Sequence, residues 1–293
     1  ERTMAANRAA FSAWQLWPRP LRDVAERDLS IDLFGRRSTP LLLAPLGVME
    51  MAHPDADLAV ARAAAALGIP VTLSNQASFP MEAVAAAAPT GSCFFQLYWS
   101  ASDELNASLL RRAEESGCEA IVVTLDTHLL GWRTRDLELA YLPFTRGLGI
   151  AQYTSDPVFA ELVRERVRKS VAGELPVSLP PRVTAKTVQA GISIARKGAP
   201  LTGTGTRESL RSPLPRAAVE TFLDVFSTPS LTWADLAKAR QWTSLPIILK
   251  GIVHPDDAQS ALDAGMDGIW ISNHGGRQID QSVPTLAVLP EIA

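Results

Sequence analysis

Gly268-Ile269-Trp270-Ile271-Ser272-Asn273-His274-Gly275-Gly276-Arg277-Gln278-Ile279-Asp280 is the stretch on which the reading of this chain turns. It opens as a short, continuously apolar run, the pattern of a strand covered on both faces. A polar cluster follows at once, so a histidine and an arginine stand just beyond the strand's C-terminal end. Gly275 and Gly276 between them allow a tight turn and a close approach of the backbone to a ligand. A neutral histidine can abstract a proton near neutral pH, and an arginine can hold a carboxylate through two parallel hydrogen bonds. The segment therefore reads as a base beside a carboxylate anchor.

Outward from it, the same grammar recurs. Apolar runs stand at Leu41-Leu42-Leu43-Ala44, Val71-Thr72-Leu73, Cys93-Phe94-Phe95-Gln96-Leu97, Ala120-Ile121-Val122-Val123-Thr124-Leu125 and Ile247-Ile248-Leu249. Helical patterns separate them. One opens at Pro54-Asp55 and ends at Gly68, one opens at Ser102-Asp103-Glu104 and ends at Gly117, and one opens at Pro255-Asp256-Asp257 and ends at Gly265. Thr232-Trp233-Ala234-Asp235 has the capping-box pattern. Six strands alternating with helices predict an α/β fold. On pattern alone, a doubly wound sheet and a (β/α)8 TIM barrel both fit. The candidate polar residues favour the barrel, because they follow the ends of all six runs: Pro45, Ser74, Gln96 and Tyr98, Thr124 and Asp126, Lys250, and Ser272 with His274. A ring of strand ends is how a barrel builds one site, whereas an open sheet gathers its ligand at a switch point. The expectation is one domain over residues 1–293 with about six βα units. A proline- and glycine-rich insertion after the fourth run, about 143–230, is expected to be a lid over the strand ends or else a solvated excursion, with helical material near 158–171.

Composition narrows the function classes. The 293 residues carry 28 Lys+Arg against 31 Asp+Glu, a net charge of −3, which offers no basic footprint for nucleic acid. No apolar run approaches the ~20 residues of a membrane helix, and no signal-peptide pattern stands at the start. Cys93 and Cys118 have no metal-ligand spacing and read as reduced thiols of a cytoplasmic protein. No metal is expected. His53 reads as a cap beside Pro54, and His128 and His254 as structural.

The nonapeptide Ser272–Asp280 resembles the active-site signature of the FMN-dependent α-hydroxy-acid oxidases and dehydrogenases. Ala44-Pro45-Leu46-Gly47, Met51-Ala52-His53-Pro54, Thr72-Leu73-Ser74, Phe95-Gln96-Leu97-Tyr98 and Thr124-Leu125-Asp126-Thr127 are similar to other segments of that family. Leu130-Gly131-Trp132-Arg133-Thr134-Arg135-Asp136-Leu137 and the long insertion are most similar to its lactate 2-monooxygenase branch. The resemblance implies roles. His274 would be the base, with Asp126 bonded to its imidazole. Arg277 would bind the substrate carboxylate, with Arg133 as a second cation, and Tyr98 would bond to the substrate oxygen. FMN would be the cofactor. Lys250 would stand at its N1/O2 edge, where negative charge gathers on reduction. Ser74, Gln96 and Thr124 would bond to the ring edge, Pro45, Leu46 and Gly47 would face N5, and Ser272 would contact the ribityl or ring region. Plainer roles are also open. Lys250 could be a solvated strand-end lysine, Asp126 a helix cap, Arg133 a partner of Asp136 or Glu138, Tyr98 a packing aromatic, and Trp132 a pocket wall.

The implied reaction is oxidation of a lactate-like L-2-hydroxy acid to the 2-oxo acid with dioxygen as acceptor, followed by oxidative decarboxylation. The alternatives are an oxidase or dehydrogenase releasing 2-oxo acid and peroxide, or a cofactor-free remnant. Family members are commonly tetramers, so a homo-oligomer is implied. The family's barrel has eight strands where six are countable here, so the chain is expected to be part of a longer protein. Gly47 stands where relatives commonly carry alanine, which implies extra room beside N5.

Overall fold

A small antiparallel ribbon, β1 (Ile31–Asp32) and β2 (Arg36–Arg37), precedes a five-stranded parallel sheet. The sheet comprises β3 (Val71–Leu73), β4 (Cys93–Tyr98), β5 (Ala120–Thr124), β6 (Ile247–Ile252) and β7 (Gly268–Ile271), paired in sequential order. These elements come from a computed structural model that describes residues 2–127, 129–175, 184–203 and 205–293. His128 and residues 176–183 of the proline- and glycine-rich insertion lie outside the described residues.

Five of the six expected strands form. The exception is Leu41–Ala44, which contributes a single parallel bridge, Leu43 to Val71. Leu43 N–H donates to the Pro70 carbonyl and the Thr72 N–H donates to Leu43, and pairing goes no further. Proline at 40 and 45 removes a backbone donor on either side of the run. Among the described residues the sheet therefore stays open, with β3 and β7 at its edges. The expected α/β fold with a parallel sheet is present, and the described residues do not close it into a barrel.

Strand alternation sorts the side chains into two faces. Phe95, Leu97, Ile121, Val123, Ile247 and Leu249 enter the main core with the surrounding helices. Phe94, Ala120, Val122 and Ile248 form a second cluster on the other face, covered by Leu33, Phe34, Leu42 and Trp270. Further along that second face the register brings polar residues side by side: Tyr98 opposite Thr124, Thr124 opposite Lys250, and Lys250 opposite Trp270.

Helix signals in the sequence act as expected. The helix Ala56–Leu67 ends at Gly68, and Ser102 accepts a hydrogen bond from Leu105 N–H to cap Asp103–Glu115. The capping box at Thr232 forms. His53 and His254 accept from the backbone N–H groups of Asp55 and Asp256. The Cys93 and Cys118 thiols are free, with their sulfurs 3.6 Å apart. Among the described residues no helix is long and apolar enough to cross a membrane.

In the insertion, the helices Pro157–Val171, Ala185–Lys197 and Leu214–Val225 pack together and onto the main core through Phe144, Tyr153, Phe159 and Phe222. Tyr153 meets Phe222 edge to face with ring centroids 4.8 Å apart. At the other end of the chain, the helix Arg2–Ala10 lies on the turn after β7.

Candidate active site

The polar end of the second face opens into a cavity of about 650 Å3. Eleven of the thirteen residues singled out in the sequence line it: Pro45, Leu46, Gly47, Ser74, Tyr98, Thr124, Arg133, Lys250, Ser272, His274 and Arg277. The other two, Gln96 and Asp126, stand behind that wall and hold residues of it. Tyr141 to Phe144, leading into the insertion, complete one side. Trp132 stays off the wall and is 81% exposed.

Asp126 is the centre of the arrangement. It begins no helix; its Oδ1 lies 2.7 Å from His274 Nδ1, and its Oδ2 accepts from Lys250 Nζ at 3.4 Å and from Ser272 Oγ at 3.2 Å. Lys250 Nζ also donates to Ser272 Oγ at 3.0 Å. Burial opposes the Asp126 charge, yet the imidazole, the ammonium and the serine together hold its carboxyl below the ordinary aspartate value. Burial lowers the Lys250 ammonium from its ordinary value, and Asp126 offsets part of that. With Nδ1 held by the carboxylate, His274 keeps Nε2 for chemistry.

Two local devices make this geometry possible. Gly251 interrupts the β6–β7 register, and its φ of +114° with a Cβ position 2.8 Å from Asp126 N excludes any larger residue. His274 itself is left-handed at φ 55°, a strained backbone for a residue with a side chain. The helix Arg2–Ala10 braces that turn. Thr3 N–H donates to Asp280 Oδ1 at 2.9 Å, Thr3 Oγ1 donates to the Ile279 carbonyl at 3.1 Å, and Asn7 and Asn273 exchange amide hydrogen bonds at 3.0 and 2.8 Å. A Cβ on Gly276 would stand 2.9 Å from Thr3 Cβ, so only glycine lets the helix come this near.

Tyr98, Arg133 and Arg277 bring a phenol and two cations to the cavity. The Tyr98 phenol is pushed up to about 12, by burial first and then by the Asp126 charge, against the opposing pull of Arg133 and Arg277. Burial and then the like charge of Arg277 lower Arg133 from its ordinary value, against the opposing pull of Tyr98 and Asp136. Arg133 Nη2 reaches Gln278 Oε1 at 3.4 Å, and its Nε is buried without a partner.

Gln96 is almost fully buried. Its Oε1 accepts from Ser74 Oγ and Asn75 N–H, both at 3.2 Å, while Asn75 Oδ1 accepts from Tyr98 N–H at 3.0 Å. Gln96 Nε2, Asn75 Nδ2 and Thr124 Oγ1 are buried with no hydrogen-bond partner in the chain. Each such group costs about 1–3 kcal/mol if left unpaired, so the cluster is suited to a polar heterocycle that supplies partners. The sequence reading missed Asn75, Gln76, Thr127, Gln278, Thr3 and Asn7. They are ordinary polar types whose partners are set by the fold.

The chain matches the FMN-dependent dehydrogenase family over residues 1–293 and belongs to it. It is 37% identical over 294 residues to the L-lactate oxidase of Lysinibacillus sphaericus (strain C3-41), covering 100% of this chain and 64% of that protein. It is 36% identical over 293 residues to 2-hydroxyacid oxidase 1 of Homo sapiens, covering 100% of this chain and 66% of that one. Among solved structures, mandelate oxidase superposes with a TM-score of 0.68 at 33% identity, over 99% of this chain and 65% of that chain. The chain thus spans just under two thirds of the length of these relatives. A mandelate oxidase structure carrying an FMN adduct is also similar, at a TM-score of 0.67. FMN is the cofactor, and the unpartnered donors of Gln96, Asn75 and Thr124 fit the carbonyl and nitrogen acceptors of a flavin ring edge.

Proposed function

We propose that this chain carries the active site for oxidation of a lactate-like L-2-hydroxy acid to its 2-oxo acid, with dioxygen as final acceptor. The observation that carries the reading is the Asp126 carboxylate held between His274 Nδ1 and Lys250 Nζ in a cavity that Arg277 and Arg133 also enter. Arg277, seconded by Arg133, would take the substrate carboxylate by a two-pronged contact. That fixes the carbinol carbon beside His274, whose Nε2 accepts a proton from the substrate. Asp126 keeps the imidazole in the Nδ1–H form and stabilises the imidazolium once it forms. Tyr98 meets the substrate oxygen. When bound, FMN supplies a two-electron acceptor that dioxygen regenerates. Ser74, Gln96, Thr124, Lys250 and Ser272 would hold it, with Lys250 countering the negative charge of the reduced form, and Pro45, Leu46 and Gly47 would form the wall beside it.

The finer reading is oxidative decarboxylation: pyruvate kept in the cavity reacts with the peroxide formed there to give acetate, carbon dioxide and water. Gly47 supports it by leaving room at the wall, and the segment from Tyr141 to Phe144 that leads into the insertion supports it by closing one side. The 37% identity to an L-lactate oxidase favours a second reading, release of the 2-oxo acid and peroxide. Residues 1–293 would act as one domain with 143–230 as its lid, in a homo-oligomer.

The test is the absorption spectrum of the purified protein with FMN before and after anaerobic L-lactate. Bleaching of the flavin bands is expected, and acetate rather than peroxide after air is admitted. A flavin that is not bleached by L-lactate or any other L-2-hydroxy acid would sink the reading. Peroxide with no acetate would favour the oxidase.

A further inference from the structure

Cys93 opens β4 and Cys118 stands just before β5, at the end of the sheet away from the cavity. Tyr98, on the cavity wall, lies at the far end of β4, roughly 17 Å along the strand from Cys93. No step above uses either thiol. The backbone nevertheless brings them together. Glu119 N–H donates to the Cys93 carbonyl at 2.8 Å, and Cys118 N–H donates to the Ala113 carbonyl at 3.0 Å, past Gly117 at φ 79°. The two sulfurs stand 3.6 Å apart. A disulfide is about 2.05 Å long, so a gap of about 1.5 Å remains, which side-chain torsions can close.

The two thiols are not equivalent. Cys118 is 5% exposed and packs in the main core, whereas Cys93 is only partly buried. Cys118 S–H donates to Cys93 Sγ, so the more open sulfur also receives a proton donor. That contact lowers the Cys93 thiol from its ordinary value, against the opposing effects of burial and of Glu119. The same contact, with burial, raises Cys118 well above its own ordinary value. The charged groups beside the pair are Glu119 and Arg37, which bond to each other, and Arg37 also donates to Ser92 Oγ at 3.0 Å.

We propose that Cys93 and Cys118 form an oxidation site for hydrogen peroxide, in which Cys93 meets the oxidant and Cys118 resolves the product to an intramolecular disulfide. The Cys93 thiolate attacks one peroxide oxygen, the O–O bond breaks, and hydroxide leaves as water after taking a proton. Cys93 is then a sulfenic acid. Cys118 sulfur attacks Cys93 sulfur, the S–O bond breaks, and a second water leaves with the Cys118 proton. Two thiols and one peroxide thus give one disulfide and two waters, with two electrons passing from the sulfurs to the peroxide. The link ties the start of β4 to the approach to β5 across the helix Asp103–Glu115. An oxidase that released peroxide would supply the oxidant itself, but the site does not depend on that reading.

The experiment treats the reduced, FMN-loaded full chain with added hydrogen peroxide, at a dose that fully oxidises free cysteine, and stops it with catalase. Both thiols are expected to disappear together. The intact mass should fall by two hydrogens, and a non-reduced digest should join the peptides of Cys93 and Cys118. Dithiothreitol should restore both thiols. In Cys118→Ser, Cys93 should stop at a sulfenic acid that dimedone captures. In Cys93→Ala, oxidation of Cys118 should slow at least tenfold. Thiols that persist in the wild type, a mass gain of oxygen in place of the link, or a disulfide between two chains would each overturn the proposal. So would equally fast oxidation of Cys118 without Cys93. The wild-type measurement stands whether or not the variants fold, and flavin bleaching by L-lactate tests the cavity separately.

Discussion

Single atoms decide much at this site. Gly251 is the sharpest case: an alanine there would set its methyl 2.8 Å from the Asp126 amide nitrogen, at a φ of +114°. We predict that Gly251→Ala lowers stability by about 1–3 kcal/mol and, by displacing Asp126, slows flavin reduction at least tenfold; denaturant unfolding and anaerobic stopped-flow would measure both. A variant as stable and as fast as wild type would mean that Asp126 tolerates the shift. Gly47 is gentler. Its added Cβ would meet Gln76 Cβ at 3.1 Å and Gln76 Oε1 at 3.4 Å, so the side chain has to give way into the cavity. Gly47→Ala is expected to shift the products from acetate toward pyruvate and peroxide, and an unchanged product ratio would remove the role given to that space. The two glycines were not equally legible. Gly47 stood out in the sequence because the family it resembles commonly carries alanine there, whereas Gly251, beyond the Ile247-Ile248-Leu249 run, was not singled out. Its meaning lies in how near Asp126 comes, which is a fact of packing between two strands. Thr127 was hidden for the same reason: a threonine is unremarkable until a histidine from beyond another strand comes within 3.2 Å of its hydroxyl.

Among elements, the strands were the most readable and the edges the least. Continuous apolar runs announce strands buried on both faces, and β3 to β7 formed where those runs stand. The Leu41–Ala44 run has the same composition but lies between two prolines and has a partner on one side only, so hydrophobicity alone overstated it. The helix Arg2–Ala10 was not foreseen as part of the site, because its sequence carries no chemistry. Its contribution is mechanical: Thr3, wholly buried, donates to Ile279, accepts from Ser282 N–H at 3.0 Å and sends its own N–H to Asp280. Those bonds offset the left-handed strain at His274. Thr3→Val, which removes the buried hydroxyl and its two hydrogen bonds to the partly exposed turn, is expected to cost about 1–3 kcal/mol, at about 0.5–1.5 kcal/mol per bond. It should also raise the hydrogen-exchange rates of the 274–282 turn more than those of β4 and β5. Equal protection in that turn would mean the helix merely rests on it.

For the whole molecule, burial of two phenols ties stability to alkaline pH. The Tyr98 phenol is pushed up to about 12 and burial pushes the Tyr153 phenol up as well, against an ordinary value of 10.0. The folded state therefore favours the neutral phenols. This contribution is complete below about pH 10 and is lost as pH rises toward 12, because the unfolded chain ionises first. Denaturant midpoints should fall over that window, and the Tyr98 and Tyr153 phenolate absorbance should appear only as the protein unfolds. Ionisation near pH 10 in a chain that is still folded would contradict the burial of both rings. Tyr98→Phe should flatten part of the fall.

The same brace that steadies His274 also sets a schedule. Thr3 and Asp280 are 277 positions apart, and Asn7 and Asn273 are 266 apart. A ribosome delivers the first of each pair long before the second, at about 5–20 residues per second. The parallel strands can begin to pair while synthesis continues, but the turn carrying His274 and Arg277 has nothing to lean on until the two distant segments meet. Contacts of such long separation close slowly. The turn that holds His274 and Arg277 therefore takes its final form only after residues 273–280 have followed the parallel strands, and until then the scaffold can form while that turn is still unbraced.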